Sequence, residues 1–236
     1  MINQQTIKNE PATVQATPHL TPAQQVLQDL WEAHLQSEFV AQNTEDALAT
    51  MVEDAYVNDI PVMTGGVGKP GVREFYAKHF IPQIPPDTEM IPISRTIGTD
   101  QLVDEMVFKF THTLQMDWML PGVAPTGKRV EVPLVAIIRF RDGKVAHEHI
   151  YWDQATVLVQ LGLLDPSKLP VVGVDSARKL LDPNLPSNTL INWIRWLIAL
   201  AIGANKTYHV SPSAFLCNNA FIPLLSLSAR NNLEGL

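Results

Sequence analysis

The sequence predicts an α+β fold, on two observations. Apolar residues recur at helical spacing through the first third of the chain, and they alternate with polar residues from Glu89 to Asp153. Amphipathic helices followed by a run of antiparallel strands differ from the strict alternation that builds a parallel sheet.

Each element has its own local reason. Thr21-Pro22-Ala23-Gln24 is a helix start, with Thr21 as N-cap, Pro22 in the first turn and Gln24 closing a capping box. Leu27, Leu30, Trp31, His34, Leu35 and Phe39 then place one stripe toward a core. Thr44 can cap a second helix carrying Leu48, Met51 and Val52. Tyr56 to Met63 reads as a short strand, the GGVGKPG stretch as a loop, and Val72 to Phe80 as a third helix closed by IPQIPP. Leu102, Met106, Phe108, Phe110 and Leu114 share one strand parity, and that face also carries Asp104 and His112. Val130 to Arg141 and Lys144 to Asp153 form a hairpin about the Asp142-Gly143 turn.

The totals set outer bounds. With 236 residues, 46% hydrophobic and 17% charged, the chain can bury a substantial core. A net charge of −7 without a Lys/Arg-rich run lacks the electrostatic footprint of nucleic-acid binding. Cys217 is the single cysteine, which rules out an internal disulfide and a cysteine-based zinc cluster. Leu190 to Ile202 is apolar but only about 13 residues long and contains Arg195, too short to span a bilayer. A soluble cytoplasmic protein, with no membrane and no nucleic-acid partner, is the expectation. Residues 1–19 read as a disordered leader, 20–165 as the folded domain, and 166–236 as a proline-rich extension with a poorly specified apolar tail.

The chemistry-bearing candidates cluster near the end of the strands. His147, His149, Tyr151 and Asp153 fall on one face of the last strand, which suits a pocket or a solvated face. Asp153 stands where strand passes to helix, so it is either an N-cap or a proton-transferring group. His112 is either a satisfied core histidine or a pocket residue. With His147 and His149 it would give three imidazoles for zinc, if the strands were in register. Gly66-x-Gly68-x-x-Gly71 matches a dinucleotide fingerprint, but Pro70 interrupts it and no further strand–helix–strand units follow. Trp31, Phe108, Phe110, Trp118 and His147 are the candidate substrate contacts. The Met116–Gly122 segment suits a lid or a dimer contact.

Two stretches carry a resemblance. Pro125 to Val145 (PTGKRVEVPLVAIIRFRDGKV) and Trp152 to Gly162 (WDQATVLVQLG) resemble the SnoaL-like polyketide cyclases of the NTF2-like superfamily. The likeness runs from about Thr21 to Leu164, some 60% of the chain. It implies a curved antiparallel sheet wrapped by three N-terminal helices into a cone with an apolar cavity. It implies a pocket aspartate at the head of the D-x(6)-Q-L-G element, here Asp153, and a pocket histidine from a neighbouring strand, here His112. Many relatives read Glu-x-Trp-x-x-x-Asp in the last strand, where this chain has His147-x-His149-x-x-x-Asp153. The expectation is a small-molecule acid/base enzyme, a cyclase, isomerase or dehydratase of secondary metabolism acting alpha to a carbonyl. Asp153 would be acid/base, His112 or His149 would hydrogen-bond the enolate, and Tyr151 would add a second donor. It would need no cofactor and no metal, act on an apolar substrate and form a homodimer. The alternative is a non-catalytic ligand-binding or interaction module of the same fold.

Overall fold

The structure is a computed structural model describing residues 20–191. The chain divides into two units, Met1–Ser187 and Asn188–Leu236, and the fold is that of the first. The expected leader 1–19 and the tail from residue 192 on lie outside the described residues.

The first helix, α1 (Pro22–Leu35), starts as its sequence dictates. Thr21 accepts from the Gln24 N–H, and the Gln24 side chain reaches back to the Thr21 N–H. A π-helical turn, Gln36–Val40, continues it. The second helix, α2 (Thr44–Ala49), is capped one residue earlier than its sequence suggests. Asn43 accepts from the amides of Glu45 and Asp46, leaving Thr44 as the first helical residue. Met51 and Val52 belong to the following strand rather than to this helix, because β1 (Met51–Asp59) begins at once.

The glycine-rich stretch expected as a loop holds two elements, β2 (Thr64–Val67) and α3 (Gly68–Phe75), followed by a π-helical turn, Tyr76–Phe80. Its glycines serve packing. A Cβ on Gly66 would lie 2.4 Å from the backbone carbon of Gly71, so strand and helix approach closer than any side chain allows.

The strands β3 (Glu89–Ile97), β4 (Gln101–Thr111), β5 (Arg129–Arg141) and β6 (Lys144–Trp152) complete a six-stranded sheet of order β2-β1-β6-β5-β4-β3. All pairs are antiparallel except β1 with β6. Asp142 and Gly143 both take positive φ (53° and 68°), as the tight turn between β5 and β6 requires. Along β5 every even-numbered residue from Val130 to Phe140 is buried, and the odd-numbered ones are half-buried or exposed. One face of the sheet therefore meets the helices and the other turns away. This is the α+β, NTF2-like cone the sequence predicts.

Two further helices close the unit. α4 (Gln154–Leu161) runs from the end of β6 and ends at Gly162 in a left-handed conformation (φ 72°). α5 (Asp175–Leu181) lies in the proline-rich extension, packs against β4 and β5, and buries Ala177. Val107, on the outer face of β4, is also fully buried.

Candidate functional site

Between the helices and the inner face of the sheet lies a narrow cavity of about 60 Å³. Its walls are largely aromatic and aliphatic, with Trp31, Phe39, Phe75, Phe80, Phe108 and Trp118 among them. Ring contacts tie the wall together. Phe80 and Phe108 meet Trp118 edge-on at centroid distances of 5.4 and 5.8 Å, and Phe39 meets both phenylalanines. Trp31 is held from behind, its indole N–H donating to Asp104 at 2.8 Å while Arg95 grips the same carboxylate.

Four polar side chains interrupt this lining: Glu38, Asp59, Tyr76 and Glu148. No Lys or Arg stands among the lining residues. Each polar group is delivered by the inward parity of its element. Glu38 lies one helical turn beyond His34 on the stripe of α1, and Tyr76 follows Phe75 at the end of α3. Val57 pairs with Glu148 and Asp59 with Ile150, so the ends of β1 and β6 set the two carboxyl groups on one face. Three of the four, Glu38, Tyr76 and Glu148, converge on His34, while Asp59 bonds to Thr64. The His34 Nε2 lies 3.1 Å from Glu38 Oε1 and 3.1 Å from Glu148 Oε1, and Tyr76 donates to the same Glu148 oxygen at 3.0 Å.

Proton counting assigns the charge of this group. Thr50 gives its only hydroxyl proton to the Ala47 carbonyl at 2.6 Å. The Thr50 oxygen must then accept from His34 Nδ1, also at 2.6 Å, so Nδ1 carries a proton. Nε2 faces two carboxyl groups and carries the other. Burial alone would lower the basicity of His34, but Glu38 and Glu148 outweigh it and raise its pKa to about 10. Glu38 moves up from the ordinary carboxylate range, chiefly because burial disfavours its charge. Burial likewise raises Asp59 well above its usual value, and places the Tyr76 phenol beyond titration near neutrality. An imidazolium beside a carboxyl group whose proton affinity burial raises can both give and take protons. His34, Glu38 and Glu148 also offer one nitrogen and two oxygens within 4.8 Å of one another, a spacing a metal ion would accept.

The residues singled out from the sequence go to different places. Trp31, Phe108 and Trp118 line the cavity as expected. Phe110 is fully buried in the core without reaching the cavity wall. His147, His149 and Tyr151 do share a face, as parity requires, but it is the outer one. Glu148, Ile150 and Trp152 alternate with them and point inward. On that outer face His147 and His149 stack at 4.3 Å, and His149 Nε2 meets the Tyr56 hydroxyl at 3.1 Å.

Asp153 lies at the head of α4, exposed and outside the cavity lining. One oxygen accepts from the Ala155 N–H at 2.9 Å and the other from the Thr156 hydroxyl at 2.7 Å. It is the cap its position allows, and both carboxyl oxygens are engaged. His112 follows the last residue of β4 and is fully buried. Its Nδ1 accepts from the Thr126 N–H at 3.3 Å, which leaves the proton on Nε2, a buried atom with no partner. Burial lowers its basicity, and it braces the loop ahead of β5 outside the cavity lining. The three-imidazole metal site fails on register. His149 stands opposite Ile137, and Ile137 opposite Val103, nine residues from His112 on the same strand. At ~3.3 Å per residue that is roughly 30 Å.

The Met116–Gly122 segment puts Trp118 on the cavity wall and buries its methionines, in place of the exposed contact its Trp and Met suggest. Met116, Trp118, Met119 and Leu120 are at most 3% exposed. Thr64 donates to the Trp118 carbonyl at 2.7 Å, Gln154 to the Met119 carbonyl at 3.0 Å, and Gln83 fixes Asp117.

The group formed by His34, Glu38, Asp59, Tyr76 and Glu148 escaped the sequence reading. The signal was present but thin. Glu38 continues the 27, 31, 34 stripe of α1, and Asp59 shares parity with Ala55 and Val57. Glu148 sits between two histidines whose outward parity makes its own inward.

A curved, mostly antiparallel sheet with helices over an apolar cavity is the architecture of the NTF2-like fold. The family model for the SnoaL-like polyketide cyclases matches residues 24–161, more than half of the chain, and the protein belongs to that family. Among solved structures, a protein from Jannaschia sp. CCS1, provisionally named a SnoaL-like polyketide cyclase, is similar at 16% identity. The match covers 63% of this chain and 100% of the other, with a TM-score of 0.52. A protein of ketosteroid isomerase-like fold from Catenulispora acidiphila DSM 44928, in complex with trimethylamine, shares 14% identity over 58% of this chain and 94% of its own, with a TM-score of 0.46. An NTF2-like protein of unknown function from Burkholderia pseudomallei K96243 shares 15% identity over 60% and 98%, with a TM-score of 0.44. None of the curated proteins matches the chain. Among the described residues no helix is long and apolar enough to cross a membrane.

Proposed function

We propose that the protein is a small-molecule cyclase or isomerase that moves a proton alpha to a carbonyl, with Glu148 as the acid/base group. The observation that carries this reading is a carboxylate at 4% exposure, on the wall of an apolar cavity, held by an imidazolium and a phenol. His34 Nε2 lies 3.1 Å from the Glu148 carboxyl group and gives it a fixed partner in apolar surroundings. Tyr76 orients it, and Glu38 meets the same His34 nitrogen at 3.1 Å. A base so placed faces the ligand without bulk water, and its proton-transfer role contributes about 100- to 10,000-fold in rate. The aromatic walls favour a flat, apolar cyclic guest, as in the polyketide chemistry for which the family is named.

Deuterium incorporation in heavy water tests this. Neutral mono- and polycyclic ketones are incubated with the protein, and exchange alpha to the carbonyl is followed by mass spectrometry. The wild type should accelerate exchange of at least one ketone class, and Glu148→Gln should remove about 100- to 10,000-fold of that acceleration while ligand binding persists. Binding without exchange in the wild type would favour a ligand-carrying module instead. The homodimer expected from the resemblance would pair through the outer face, where Val135 and Ile137 are half-buried and Tyr151 is 40% exposed. Sedimentation of the wild type beside Tyr151→Glu tests that pairing.

A further inference from the structure

We propose that the open groove between α1 and β3 is the second half of the ligand site. It admits the ligand past Leu35, Met90 and Met106 and holds the non-reacting end, which is uncharged or amine-bearing. That role for the groove rests on the acid/base reading of Glu148 and names the size and charge of what Glu148 acts on.

Four observations carry it. First, the cavity beside Glu148 measures about 60 Å³, whereas small-molecule sites run to ~300–1,000 Å³. Second, a groove of about 540 Å³ adjoins it, and Leu35, Met90 and Met106 line both, so the two spaces meet at three apolar side chains. Third, the inner face of the sheet is open there. Pro92 stands opposite the inward-facing Met106 and is nevertheless exposed. Between Pro92 and Ser94 the pairing slips by one residue, a bulge in the edge strand at the mouth of the groove. Fourth, the three side chains at the junction can move. Two are methionines, unbranched and with three rotatable bonds. Leu35 ends α1 where it passes into the π-helical turn Gln36–Val40, a feature frequent at functional sites.

The groove sets the ligand class by length and charge. Met90 and Arg95 both line it, and five residues of extended chain at ~3.3 Å each span roughly 16 Å, enough for two fused rings with a substituent. Arg95 is the one cation among the described lining residues, and two carboxylates already hold it. Asp104 accepts from Nη2 at 2.7 Å, and Glu32 accepts from Nη1. Glu105 adds a third carboxylate to the lining. A carboxylate on the ligand would therefore find no free cation, whereas an ether, hydroxyl or amine meets no such penalty. The same Asp104 accepts from the indole of Trp31, so the groove is tied to the inner wall of the cavity.

Stopped-flow fluorescence of the full chain tests this with a matched pair of probes. One is 2-acetyl-6-methoxynaphthalene, a neutral elongated ketone, and the other is 6-acetyl-2-naphthoic acid, its anionic counterpart. The wild type should bind the methoxy compound about tenfold more tightly or better. Leu35→Trp and Met90→Trp, which fill the junction, should slow its association about tenfold, and Leu35→Ala and Met90→Ala should speed it. If a tryptophan variant does not fold, the alanine variants carry the test, because their expected change has the opposite sign. Glu32→Gln, which releases one side of Arg95, should strengthen binding of the acid about threefold. Equal affinity for the two compounds, association rates that none of the four junction variants alters, or no binding of either compound would overturn the proposal. Deuterium exchange separates it from the role of Glu148. Altered association in the junction variants with full exchange in Glu148→Gln would leave the groove standing and remove the acid/base reading. Lost exchange in Glu148→Gln with unaltered association in the junction variants would do the reverse.

Discussion

Replacing His34 by glutamine should cost the protein several kcal/mol, and the cost should depend on pH in an unusual sense. The side chain is fully buried with Glu38 and Glu148 each 3.1 Å away, so His34→Gln leaves two acidic groups facing one another without their counter-charge. Removing one partner of a buried ion pair typically costs about 3–5 kcal/mol. For a domain of this size each kcal/mol moves the melting temperature by about 2–4 °C, so a fall of roughly 6–20 °C is expected. A second route gives a similar figure. The folded pKa is raised to about 10 from an unfolded value near 6.5, a difference worth about 5 kcal/mol at most.

Because the pKa is raised on folding, the stabilisation is complete below pH 6.5 and is lost as pH climbs through 10. The raised Glu38 and Asp59 act with the same sign from their unfolded values upward, so stability should fall steadily from about pH 5 to pH 10. Urea unfolding of wild type and His34→Gln at pH 6, 8 and 10 measures this. The gap between the two should be widest at pH 6 and close toward pH 10. A gap below about 1 kcal/mol at pH 6, or one that stays constant to pH 10, would refute the proton count drawn around Thr50 and Ala47.

The other predictions separate architecture from chemistry. Asp153→Ala removes the cap of α4 and should cost about 1 kcal/mol in chemical denaturation, leaving alpha-proton exchange of ketones unchanged. Gly66→Ala forces a methyl into the Gly71 backbone at 2.4 Å and should destabilise by at least ~2 kcal/mol. Calorimetry distinguishes that from the few tenths expected of an unobstructed exchange. Glu148→Gln should lose alpha-proton exchange on the 100- to 10,000-fold scale that Asp153→Asn leaves untouched.

Much of the scaffold was legible because its signals are local. The Thr21–Gln24 capping box, the Asp142-Gly143 turn and the parity of Met106 and Phe108 each rest on residues within a few positions of one another. The site was not legible because the choice of sheet face is a tertiary fact. Period two correctly grouped His147, His149 and Tyr151. It is blind to which group faces the core when both parities carry polar residues, and Glu148 sits at the inward one. Asp153 attracted attention by its place in a family element, yet a strand–helix junction also favours a cap, and both its oxygens bond to α4. His34 and Glu38 gave a weaker hint, two polar side chains four residues apart on a stripe otherwise apolar. Only the packing of α1, α3, β1 and β6 brings them together with Tyr76, Glu148 and Asp59.

Carboxyl carbon NMR across a pH titration, with Glu38→Gln and Asp59→Asn assigning the resonances, measures the central claim most directly. Carboxyl signals of Glu38 and Asp59 should titrate above the ordinary carboxylate range, alongside a His34 ring protonated on both nitrogens at pH 8. Ordinary ionisation of both groups below pH 5, with a neutral His34 ring at pH 8, would contradict a cavity built to hold exchangeable protons.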